Sequence, residues 1–137
     1  MCVANSARSQ LAEALAKKTF GPKFRIESAG SQPSKVNPYA ARSLLELGID
    51  LSSHRSKAVA DLPQDFVDSL NFVITLCAEE VCPVVLSGAV KLHWPFADPA
   101  GHPGTDAEQL ARFRVTRDLI KEKIESFALE IRQKERK

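Results

Sequence analysis

The chain has 137 residues, 44% of them apolar and 26% charged. That composition suits one folded domain over residues 1–137, with a core that needs neither disulfides nor a structural metal. A net charge of +2, with much of the excess in Arg132, Lys134, Arg136 and Lys137, argues against a nucleic-acid partner, and no stretch approaches the roughly 18 apolar residues of a membrane helix.

Met1 is followed at once by Cys2 and polar residues, so no export leader is read there, and a cytoplasmic location is expected. Ala7 to about Phe20 carries helical spacing, with Leu11, Ala12, Leu15 and Ala16 on one face and Gly21-Pro22 as the stop. Phe24 to Glu27 reads as a short strand ending at Ser28-Ala29-Gly30. Asn37-Pro38 opens a second helix through Ala40, Leu44, Leu45 and Leu47 to Gly48.

Gln64 to Leu70 is expected to form a short helix, and Asn71 to Leu76 a continuous apolar, β-branched strand buried on both faces. Ala89 to His93 suggests another strand. Pro95 to Gly104 holds three prolines and two glycines and reads as a loop carrying Asp98. Thr105 and Glu108 make a capping box, after which Leu110, Phe113, Ile120, Ile124, Phe127 and Ile131 recur at helical spacing. Buried strands alternating with amphipathic helices predict an α/β sandwich of three layers around a parallel sheet, with ligands beyond the carboxyl ends of the strands.

The segment Cys2-Val3-Ala4-Asn5-Ser6-Ala7-Arg8-Ser9 has the form Cys-x5-Arg-Ser and runs directly into the first helix. Successive amides in such a loop can converge on a tetrahedral oxyanion, and the helix N-terminus adds its positive partial charge. The same field lowers a thiol pKa from about 8.5 into the range of roughly 3.5–7.5, so Cys2 is expected to be a thiolate near neutrality. Arg8 offers a planar fork that pairs with two anion oxygens, Asn5 tolerates a left-handed backbone, and Ser9 has a hydroxyl to donate to the Cys2 sulfur. The bland reading of Cys2 is an incidental residue near a chain end.

Cys2 through Glu13 resembles the phosphate loop and first helix of the low-molecular-weight protein tyrosine phosphatases and their thioredoxin-coupled arsenate-reductase relatives. The likeness continues through Ser28-Ala29-Gly30, Asn37-Pro38, Leu47-Gly48-Ile49, Ser53-His54, Thr75-Leu76-Cys77, His93-Trp94 and Asp98-Pro99-Ala100. It implies a phosphatase-like fold in which a buried central strand precedes the nucleophile. Here only Met1 precedes Cys2, so a sheet lacking its first central strand is expected.

The resemblance also implies arsenate reduction without a cofactor: Cys2 forms an arsenic adduct, Cys77 resolves it, Cys82 takes over the disulfide, and a thioredoxin-like partner reduces it. Residues five apart in a helix have Cα atoms roughly 8–9 Å apart, beyond the about 7 Å a disulfide tolerates, so any helix over Ala78-Glu79-Glu80-Val81 must unwind on oxidation. Two buried structural thiols are the plain alternative for Cys77 and Cys82. Asp98 matches the family's proton-donating aspartate, where a solvated loop carboxylate is the bland reading.

Residues 3–9 would line the anion, with arsenate as substrate and phosphate or sulfate as competitors. The aromatic residues with which family phosphatases grip phosphotyrosine are replaced by Ala100-Gly101, which favours reduction over phosphomonoester hydrolysis. A non-catalytic oxyanion-binding or redox-sensing module is a third reading. Some such reductases bind potassium; Asn5, Glu13 and Ser28 match three of its ligand positions, but the fourth is Lys57, so no metal is expected. His54 and His93 are expected to be structural or supporting, Trp94 to pack, and His102 has no assigned role.

Overall fold

Helix α1 (Arg8–Phe20) starts without a side-chain cap and ends where Gly21, at φ 78°, donates its N–H to the Lys17 carbonyl. It belongs to a computed structural model that describes residues 7–21, 24–30, 35–51, 54, 56–77 and 90–135. Arg8, Ser9, Gln10, Leu11, Glu13, Ala14 and Leu15 are all buried, so α1 is an interior helix enclosed on most of its circumference. Polar groups buried there need hydrogen-bond partners to offset the cost of leaving water, as Arg8 finds in the Phe96 carbonyl and Glu13 in Ser28 and Lys17.

Helix α2 (Pro38–Leu45) is set by Asn37, whose Oδ1 accepts the Tyr39 N–H at 2.9 Å, with Pro38 at the first helical position. It stops short of the expected Gly48, which instead takes φ 77° in the turn after it. A 3₁₀ turn (Val59–Asp61) and a short helix α3 (Gln64–Asp68) follow. Strands β1 (Phe72–Cys77) and β2 (Val90–Phe96) then pair in parallel, and the long helix α4 (Asp106–Glu135) closes the described chain. At its start, Thr105 and Glu108 exchange the reciprocal bonds of a capping box.

Two sequence expectations need correction. Phe24–Glu27 is not a strand: among the described residues this segment joins no ladder, Ser28 gives its N–H to Glu13 Oε1 at 2.8 Å, and the next sheet-like contact along the chain is a parallel bridge between Gly30 and Ala58. A buried carboxylate on α1 takes the backbone donor of Ser28, the residue that follows this segment. The second strand, expected to stop at His93, runs on through Pro95 to Phe96. The register slips between Thr75↔His93 and Cys77↔Phe96, so the extra residue on β2 forms a bulge where proline's missing N–H breaks no ladder bond. The expected start at Ala89 and the segment before Cys2 lie outside the described residues.

Leu11, Ala14 and Leu15 of α1 meet Ala40 and Leu44 of α2 and Phe113, Ile120 and Ile124 of α4 in one core. Leu76 of β1, packed against Ala12, Ile74, Trp94 and Phe96, joins the sheet to α1. Phe127 of α4 stands edge-on to Phe20, Phe72 and Trp94, with centroids at 6.2, 5.1 and 5.2 Å. One ring thereby ties the end of α1 to both strands. The result is an α/β fold with helices packed on a parallel sheet, which brings the N-terminus of α1 to the carboxyl ends of β1 and β2. Among the described residues no helix is long and apolar enough to cross a membrane.

Candidate active site

Arg8 is the first residue of α1 and only 4% exposed. Its Nη1 donates to the Phe96 carbonyl at 2.7 Å, and its Nη2 lies 3.7 Å from Asp98 Oδ2. The first is a full hydrogen bond. The second is an ion pair too long to be one, so the carboxylate faces the guanidinium without being locked to it. Asp98 Oδ1 is held separately, accepting the Ala100 N–H at 2.9 Å.

Cys77 enters through the sheet register. It ends β1 opposite Phe96, the residue whose carbonyl holds Arg8. Earlier on the same strands, Thr75 Oγ1 lies 2.6 Å from His93 Nδ1, a contact that bonds the strands through side chains as well as backbone. Ala7 and Ser9 are buried at the start of α1. Cys2, Val3, Ala4, Asn5, Ser6 and Cys82 lie outside the described residues, as does the Ala78–Val81 segment.

A second polar group is built around Glu13, one and a half turns along α1. Its Oε1 accepts from the Ser28 backbone at 2.8 Å, from Ser28 Oγ at 2.6 Å and from Lys57 Nζ at 3.3 Å; its Oε2 accepts from Lys17 Nζ at 2.8 Å and faces His54 Nδ1 at 3.1 Å. Lys57 also reaches Glu27 Oε2 at 3.1 Å. Burial alone would push the Glu13 carboxyl up, but the hydrogen bonds from Lys17 and Ser28 and the charges of Lys57 and Lys17 outweigh it and hold the pKa below the ordinary range. His54 is driven the other way: burial lowers its pKa, with Lys17 and Lys57 assisting, against the pull of Glu13 and Glu27. The carboxylate that a potassium ion would need is already occupied by two ammonium groups, so these residues do not fit a bound cation.

The low-molecular-weight phosphotyrosine protein phosphatase family matches the chain over residues 1–137. The chain belongs to that family. Within it, an arsenate reductase of Halalkalibacterium halodurans is 41% identical over 130 residues, covering 93% of this chain and 91% of the relative. A solved arsenate reductase in its phosphate-binding state superposes with a TM-score of 0.75 at 32% identity, over 95% of this chain and 94% of that one. A thioredoxin-dependent arsenate reductase from Corynebacterium glutamicum gives 0.65 at 28% identity, over 94% of this chain and 60% of that one.

For this family member, the fold brings together Arg8, Asp98 and the strand end at Cys77. Three features escaped the sequence reading. Phe96 works through a backbone carbonyl, which has no residue signature. Lys17 is spaced i,i+4 from Glu13, a helical pair the spacing alone reveals. The His54 contact with Glu13 spans 41 positions and carries no local signal.

Proposed function

We propose that the protein reduces arsenate to arsenite. The observation that carries this reading is the register that sets Cys77 beside Phe96, whose carbonyl fixes Arg8, with Asp98 two residues further on. A buried arginine at a helix N-terminus, a carboxyl group facing it and a second cysteine at the carboxyl end of the strand paired with β2 suit redox chemistry on an oxyanion better than simple hydrolysis, which requires no cysteine there. The arsenate-reductase relatives support the same substrate.

In this reading Arg8 and the amides of residues 3–9 hold arsenate against the Cys2 thiolate at the N-terminus of α1. Cys2 attacks arsenic, and an arsenate oxygen leaves as water after protonation, for which Asp98 is the donor. The Cys77 thiolate then attacks the Cys2 sulfur. The sulfur–arsenic electron pair passes to arsenic, which leaves as arsenite, and a Cys2–Cys77 disulfide forms. Cys82 attacks Cys77, frees Cys2, and leaves a Cys77–Cys82 disulfide for a thioredoxin-type dithiol, the partner named for the Corynebacterium glutamicum relative.

Arsenate-dependent NADPH consumption in the presence of thioredoxin and thioredoxin reductase tests the reading. The expected result is consumption that stops with Cys2→Ser and is inhibited competitively by phosphate. Absence of consumption, with steady hydrolysis of an aryl phosphate instead, would move the protein to the phosphatase branch.

A further inference from the structure

His102 lies outside the chemistry just described, yet its ring reaches back into it. Its Nε2 is 2.8 Å from the backbone carbonyl oxygen of Asp98. A carbonyl oxygen only accepts, so the ring must carry its proton on Nε2 and donate. The reversal between the two residues is made at Gly101, whose φ of 80° places it in the left-handed region.

The surrounding contacts make this a tether. Pro99 is buried and Ala100 packs against the main core. Beyond His102, Arg112 Nη2 donates to the Pro103 carbonyl at 2.8 Å and Gln109 Nε2 to the Gly104 carbonyl at 3.2 Å, tying the far end of the loop to the first turns of α4. Asp98 is therefore constrained twice, its side chain by the Ala100 N–H and its carbonyl by His102. Pro99 has no N–H, so none of its own bonds fixes the peptide plane that His102 holds.

We propose that His102 is a positioning residue which, through the Asp98 carbonyl, keeps the Asp98 carboxylate facing Arg8. The proposal rests on the reading of Asp98 as the proton donor. It concerns how long the carboxylate spends in its productive geometry, so its effect belongs to the protonation step and not to anion binding.

The test measures single-turnover arsenite formation in four full-length variants: His102→Ala, His102→Gln, Asp98→Ala, and His102→Ala combined with Asp98→Ala. Losing one hydrogen bond is expected to slow His102→Ala roughly threefold to tenfold at saturating arsenate, with the half-saturating concentration within about twofold of wild type. His102→Gln, whose amide can donate to the same carbonyl, restores the rate, and in the Asp98→Ala background the histidine change adds nothing.

If Asp98→Ala keeps the wild-type rate, the role of Asp98 and this proposal fall together. If Asp98→Ala is slow while His102→Ala is not, the proposal alone is lost. Amide exchange at Ala100 supplies a readout independent of turnover. It should accelerate in His102→Ala and recover in His102→Gln; unchanged exchange would overturn the tether.

Discussion

Glu13 shows how one buried carboxylate organises its neighbourhood, and its titration gives a stability prediction. His54 has a folded pKa below its ordinary 6.5 and Glu13 one below 4.5. In both cases the unfolded chain binds protons that the folded one refuses, so stability rises with pH through each window. Chemical denaturation should give a plateau above about pH 6.5, a decline below it from His54, and a further decline below about 4.5 from Glu13. His54→Asn should remove the upper decline and leave the lower. A second consequence concerns potassium: with Lys57 between Glu13 and Glu27, arsenate reduction should run equally in potassium and sodium buffers. Large stimulation by potassium would contradict that. The Cys-x5-Arg pattern and the family resemblance singled out Arg8 and Asp98, which the fold sets face to face, whereas the Glu13 group assembles from α1, residue 28 and residues 54–57 and was only partly legible.

Elements were legible where one periodicity ran unbroken. The capping box located the start of α4 and the apolar run located β1, but Phe24–Glu27 looked like a strand because its side chains alternate. What decides a strand is a partner for the backbone, and Ser28 finds one in a side chain. Pro95 misled in the opposite direction, since a proline at a bulge ends no strand. Packing makes its own prediction. Phe127 contacts Phe20, Phe72 and Trp94, so Phe127→Ala should cost about 2–4 kcal/mol in urea denaturation. Phe24, 42% exposed, should cost less than about 1 kcal/mol when truncated. Equal losses at the two positions would show that Phe127 does not join α1 to the sheet.

At the scale of the whole molecule, the fold's contribution is convergence. The N-terminus of α1 carries Arg8, β1 ends at Cys77, and β2 ends two residues before Asp98, so the carboxyl ends of the two strands meet the start of that helix. In the proposed cascade a bond passes from Cys2 to Cys77 and then to Cys82. Cys82→Ser, mixed with excess arsenate and the complete thioredoxin system, tests it most directly by counting arsenite released and mapping the disulfide by mass spectrometry. The expected result is a single burst of no more than one arsenite per protein and a trapped Cys2–Cys77 disulfide. Sustained turnover by that variant, or a protein whose Cys2 and Cys77 are never found linked, would contradict it.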